Sequence, residues 1–322
     1  IDLVYEVGKQ IAKDCKAAGI HWNLAPVVDI NINPNNPVIG YRSFGDDKHN
    51  VVAMATAFVK GTQSEGVLTS IKHFPGHGDT ATDSHLGLPV IEKSKAELLE
   101  NELYPFQKLV EEGVDSVMAG HLSVPSLTTD SKLPSSINKD IITGVLRNEM
   151  GFDGVVISDA LNMHAVSKNY PIKGELEWLA FNAGNDVLCF AEHIEEGIQM
   201  ILKNASETQI NKSLERIWKL KEKAFNEEST IQELTDPSAL NRKIAERTLT
   251  LHHGTAADIS KFKATNFCTL TIKRFGTNQT NQEILDNIFE MRNEVKGETE
   301  ILLLLTPPQI KPTNKFGFLQ EE

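Results

Sequence analysis

The stretch VLTSIKHFPGHGDTATDSH, residues 67–85, decides how the chain folds. Its first part, Val67 to Phe74, is nearly all apolar and does not alternate with polar residues. That pattern belongs to a strand covered on both faces. Then the character changes at once. Pro75, Gly76 and Gly78 set a sharply turning loop whose backbone can approach a ligand. Lys72, His73, His77, Asp79, Asp83 and His85 crowd six titratable groups onto one strand end. A lone histidine is more often structural, but six such groups together read as a functional loop.

Working outward, four more short apolar runs resemble the first: Trp22 to Val28, Ser116 to His121, Val155 to Ser158 and Asp186 to Phe190. Helical patterns separate them. Leu3 to Ala18 is amphipathic, and Asn50 to Gly61 carries Val51, Met54, Ala55 and Phe58 on one face. Ser94 with Glu97 forms a capping box ahead of a helix towards Glu112. Asn138 to Met150 is stopped by Gly151, and Asn211 to Phe225 has Leu214, Ile217 and Trp218 as its stripe. Strands alternating with helices imply a parallel α/β architecture. Polar groups stand at the carboxyl ends of several strands: Asp29, then Lys72 and His73, then His121, then Asp159. That distribution favours a (β/α)8 TIM-type barrel over a doubly wound sheet, which gathers its ligand at one switch point. Only five strands are counted, so the barrel is expected to lack its first strands.

Three regions follow. Residues 1–225 are the catalytic barrel portion, 226–243 a polar linker containing Pro237, and 244–322 a partial C-terminal α/β domain. The last has strand candidates at Cys268 to Ile272 and Ile301 to Leu305 and a helix near Gln282 to Glu294.

Bulk properties exclude several classes. The formal net charge is −12, with 32 Lys and Arg against 44 Asp and Glu, and no basic block. Nucleic acid is therefore not an expected partner. No run is apolar and long enough for a membrane-spanning segment. The three cysteines, Cys15, Cys189 and Cys268, show no disulfide framework or zinc spacing, and Cys189 reads as a small core residue. No cofactor or metal is implied. The chain opens at Ile1 inside a helical pattern, so no targeting signal is read and both exported and cytoplasmic locations stay open.

The run KHFPGHGDTATDSH, with Asn23 to Asp29, Val38 to Phe44 and Ile157 to Met163 in the same order, resembles glycoside hydrolase family 3, in particular its bacterial β-N-acetylglucosaminidases. The resemblance covers roughly Leu3 to Lys223. It implies a retaining hydrolase releasing terminal β-linked N-acetylglucosamine from a small carbohydrate, plausibly a peptidoglycan fragment. By the same resemblance Asp159 is the nucleophile, and His85 paired with Asp83 is the general acid/base. Arg42, Lys72 and His73 hold sugar hydroxyls. The chemistry fits these types: a carboxylate can attack an anomeric carbon, and histidine titrates near neutrality with a carboxylate to fix its tautomer. Retaining geometry asks for about 5–5.5 Å between the two groups. The family's upstream DxEGG-type sugar-binding motif has no counterpart here, so the sugar site is expected to be incomplete within this chain. A fused downstream domain is a further expectation.

Bland readings stand beside these. Asp159 alone could cap the next helix, Arg42 could make a surface ion pair, Asp83 and Ser84 could serve the turn, and His121 could be a satisfied rim histidine. His77 and Asp79 are expected to shape the loop as readily as to touch ligand. Two other chemistries remain open: a metal-dependent hydrolase using His73, His77, Asp79, Asp83 and His85, and an N-acetylglucosaminide phosphorylase. Lys72 weighs against the cation.

Overall fold

The computed structural model describes residues 1–81, 87–225, 233–249, 254–263, 267–272 and 300–305. Asp83, His85, most of the linker's first half and the Gln282 to Glu294 helix lie outside the described residues. The chain divides into two units, 1–241 and 242–322.

The first unit is a parallel α/β structure. Helix α1 (Asp2–Ala17) leads to β1 (Trp22–Asn23), α2 (Lys48–Gln63), β2 (Leu68–Phe74), α3 (Lys95–Glu100), α4 (Tyr104–Glu111) and β3 (Ser116–Ala119). A π-wound helix, Asp140–Glu149, precedes β4 (Val155–Ser158). Then come α5 (His164–Ser167), α6 (Glu175–Ala183), α7 (Ile194–Asn204), α8 (Glu207–Phe225) and α9 (Ser238–Thr248), which crosses into the second unit. The four strands pair in chain order, all parallel. Val187 bridges Ile157 in parallel and adds the fifth strand position. The parallel sheet with covering helices matches the expectation.

Local chemistry explains where elements differ from their reading. The first strand is regular only over Trp22–Asn23, because Pro26 brings no N–H to the ladder. Pairing nevertheless continues: Ser70 N–H donates to Ala25 O, Lys72 N–H to Pro26 O, and Val28 N–H to Lys72 O. The helix after Ser94 has its capping box, yet it breaks into α3 and α4. Pro105 cannot donate and would crowd the Asn101 carbonyl, so the chain restarts at Tyr104. The stretch read as a linker to residue 243 becomes helical from Ser238, whose N–H and hydroxyl both donate to Asp236. On α8 the apolar stripe does not face inward. Leu214 and Trp218 are exposed, and Ser213 is buried instead.

The core lies between sheet and helices, with Ile71, Phe74, Phe106, Val117, Ile141, Leu146 and Val156 fully buried. α1 and α2 touch main chain to main chain. A Cβ at Gly61 would overlap the Tyr5 carbonyl, and one at Gly8 the Phe58 carbonyl. Bulk at either point would force the helices apart. In the second unit α10 (Ala256–Lys263) precedes β5 (Phe267–Ile272), which pairs in parallel with β6 (Glu300–Leu305). Among the described residues no helix is long and apolar enough to cross a membrane.

Candidate active site

β2 is buried along its length except at Lys72, the one side chain that is only half-covered. Burial on both faces makes its carboxyl end a fixed platform. The segments ending at Asp29 and His121 flank it, and β4, which leads to Asp159, flanks β3 in turn; all run parallel, so the polar strand ends read from the sequence share one end of the sheet.

Asp29 is the centre of the arrangement. It is buried, and its carboxylate accepts from His77 N–H at 2.6 Å and from His73 N–H at 3.1 Å. It also lies 2.7 Å from His73 Nδ1. An ionised acceptor bonded to Nδ1–H leaves His73 Nε2 facing outward, where Arg42 Nη2 stands 3.4 Å away. Burial pushes the Asp29 pKa up. The His73 ring and the His73 and His77 hydrogen bonds outweigh that and hold the carboxyl below its ordinary range. Its partners lie 44 and 48 residues away, so its role could not be read locally. The signal was only its place after a strand.

Asp159 follows β4. Its N–H donates to Ala119 O and its Oδ1 accepts from Ala160 N–H at 2.8 Å. Burial opposes ionisation here also. The charges of His73 and His121, the Ala160 N–H and Lys72 together keep its pKa below the usual value. Asp159 is thus a carboxylate at neutral pH; its Oδ1 bonds the adjacent Ala160 N–H in the turn and does not cap α5, whose N-cap is Met163. Lys72 has its pKa lowered by burial and by Arg42, against the pull of Asp159 and Asp29. Arg42 sits in the turn Gly40–Arg42 and also donates to Val38 O. Arg42, Lys72, His73 and Asp159 are therefore one electrostatically coupled group.

His121 is engaged at both ring nitrogens, 2.6 Å from Ser136 Oγ and 2.9 Å from Ala160 O. It steadies the Asp159 turn. His77 is buried, its Nδ1 is 2.7 Å from Thr80 Oγ1, and burial lowers its pKa to about 4. It is neutral near pH 7 and shapes the loop. Asn36 donates to the His77 and Gly78 carbonyls and fixes the same turn. Gly78 is obligatory, since a Cβ there would collide with the Ile30 carbonyl. Asp79 turns away from the group to Lys93, which bridges it at 2.6 Å to buried Glu102 at 2.5 Å. Cys189, read as a core residue, is half-buried and close enough to Asp159 and Lys72 to feel both. Burial and Asp159 raise its thiol pKa.

Comparison with known proteins bears on the family and fold of this chain. Residues 1–220 match the family model described as the glycosyl hydrolase family 3 N-terminal domain. Beta-hexosaminidase A of Pseudoalteromonas piscicida is 35% identical over 243 residues, covering 68% of this chain and 40% of that protein. A beta-hexosaminidase of Hydrogenovibrio crunogenus is 36% identical over 168 residues, 52% of this chain and 46% of the relative. The chain thus spans under half the length of these two. The solved glycoside hydrolase family 3 beta-N-acetylglucosaminidase of Paenibacillus sp. str. FPU-7 superposes with TM-score 0.77 at 31% identity, over 94% of this chain and 60% of that one. With the family model matching residues 1–220, more than half of its length, this chain belongs to glycosyl hydrolase family 3.

Proposed function

We propose that the chain carries the catalytic chemistry of a retaining β-N-acetylglucosaminidase, acting on small GlcNAc-terminated carbohydrates such as peptidoglycan fragments. The observation that carries this reading is Asp159, held ionised at a strand end beside His73, His121 and Lys72. The five parallel strand positions are read as part of a (β/α)8 barrel, whose reactive groups belong at the carboxyl end.

In the first step Asp159 attacks the anomeric carbon while His85 gives its proton to the departing glycosidic oxygen. A glycosyl ester and a free sugar alcohol result. In the second step His85, now neutral, takes a proton from water as that water's oxygen attacks the anomeric carbon and releases Asp159. Asp83 accepts the other ring N–H and stabilises the imidazolium. Arg42, Lys72 and His73 Nε2 would grip ring hydroxyls, with charged donors giving the stronger bonds.

The test is product analysis with an aryl β-N-acetylglucosaminide. Wild-type protein should release β-configured GlcNAc first, seen by proton NMR. Asp159→Asn should lower turnover by at least about 1000-fold. An α-configured first product, or turnover that survives Asp159→Asn, would overturn the reading. Adding phosphate separates hydrolysis from phosphorolysis, since only the latter yields GlcNAc 1-phosphate.

A further inference from the structure

The chain leaves the carboxyl end of the fifth strand position through a strained residue. Phe190 has φ 48°, and among the described residues no other non-glycine residue has positive φ. A side chain in that left-handed region crowds its own backbone, and glycine would occupy it without that cost. The Phe190 side chain is also left in solvent, with the residue 70% exposed. The position is therefore unfavourable twice, once for the backbone and once for apolar surface kept in water.

The neighbours of Phe190 are held on both sides. Val187 bridges Ile157. Cys189 N–H donates to Ser158 Oγ at 3.0 Å, and Cys189 O accepts from Leu161 N–H at 2.9 Å. Leu188 and Ala191 pack against the buried cluster that contains Leu161, Val166 and Ala180. His193 N–H donates at 2.9 Å to the carboxylate of Glu177, itself buried in α6. Strain of this kind persists only where the surroundings over-determine it, and it gathers at functional sites.

The place of the strain is the catalytic end of the sheet. The two main-chain bonds of Cys189 clasp the segment from Ser158 to Leu161, which contains Asp159. The charges of Asp159 and Lys72 both act on the Cys189 thiol, and Phe190 is the next residue. A β-linked gluco-configured pyranose carries its substituents equatorially and shows axial C–H bonds on each face. The negative face of an aromatic ring attracts those hydrogens and covers that apolar area. In the proposed reaction Arg42, Lys72 and His73 serve the GlcNAc ring, which leaves the exposed aromatic at the rim to the departing sugar.

We infer that Phe190 is a stacking platform for the sugar on the leaving-group side of the scissile bond, and so selects glycosides whose aglycone is itself a pyranose. The inference rests on the proposed glycosidase reading. The backbone strain is the cost of presenting the ring in one fixed place, and a pre-placed ring loses little freedom when a sugar binds.

Calorimetric titration of the full chain carrying Asp159→Asn, which spares the sugar from turnover, tests this. N,N′-diacetylchitobiose should bind saturably. Phe190→Ala should weaken that binding about tenfold, and Phe190→Tyr should keep it within about twofold. Binding of GlcNAc alone should be the same in all three proteins. Urea unfolding supplies the second readout: Phe190→Ala should leave the midpoint unchanged, and Phe190→Gly should raise it above that of Phe190→Ala while binding the disaccharide no better. No saturable disaccharide binding, disaccharide affinity indifferent to Phe190→Ala, or GlcNAc affinity falling in parallel would each overturn the assignment. A midpoint lowered by Phe190→Ala would also overturn it, because the ring would then be packing on the protein, and so would a Phe190→Gly midpoint no higher than that of Phe190→Ala. The glycosidase reading is judged separately, on wild-type turnover, so either can fail without the other.

Discussion

Asp29 shows how one carboxylate can organise a site it need not touch. It bonds two backbone N–H groups and one imidazole, so the outward direction of His73 Nε2 is set from behind. Asp29→Asn removes the charge that these donors share. Equilibrium unfolding in urea should show a loss of about 2–3 kcal/mol, the scale for hydrogen bonds to a charged group. Turnover should fall about 100-fold through misplacement of His73, read from kcat on the aryl glycoside. Unchanged stability would mean that Asp29 carries no net load. At this scale the sequence was informative wherever a residue stood beside a chemical neighbour in the chain. Lys72, His73 and Asp159 are legible as strand-end groups, whereas Arg42 is reached only through the family resemblance. Asp29 was seen only as a strand end, because the residues that give it meaning are distant in sequence.

Elements obey the same division. The apolar runs revealed β2, β3 and β4, and the Ser94 capping box revealed α3. The break before α4 follows from Pro105, which a helical pattern alone does not weigh. The apolar stripe of α8 is legible, but Leu214 and Trp218 on it are exposed while Ser213 is buried, so the stripe alone does not give the covered face. The loop after β2 is tied at its base by Lys93, between Asp79 and Glu102. Burial works against the Lys93 charge, and the two carboxylates override it and raise its pKa. Lys93→Met would leave Glu102, 2% exposed, as a buried charge without its cation. A loss of about 3 kcal/mol in urea unfolding is expected, with Lys93→Arg recovering part of it. An effect below about 0.5 kcal/mol would show the pair to be no stronger than a surface ion pair.

For the molecule as a whole, buried titratable groups set the response to acid. His77 has its pKa lowered from 6.5 to about 4 by burial. Below about 6.5 the unfolded chain takes up a proton that the folded chain refuses, so stability falls as pH drops and the loss is complete near 4. That difference corresponds to about 3 kcal/mol. Asp29 and Asp159, both with lowered pKa values, act in a lower window. Their contribution is present above the ordinary aspartate range and is lost as pH falls through their folded values. Urea midpoints measured from pH 7 to pH 4 should therefore decline, and His77→Gln should flatten that slope. A slope identical in the variant would remove His77 as its source. The α/β character of the whole was legible because helical and strand periods alternate over 1–225. The second unit offered one helix and two strands, too little pattern to specify more.

The clamp at Lys93 has an evolutionary reading. It closes the segment from Asp79 to Lys93 into a polymer ring, fastened by ions instead of a covalent bond. The entropy of closing such a ring grows only logarithmically with its contour, about 0.6 kcal/mol for each doubling. Length changes inside it should therefore cost little, provided they spare Pro89 to Ile91, which pair with the Ser123 segment and bury Ile91. Variation in what the protein recognises can accumulate in that ring while the scaffold below it stays under separate selection.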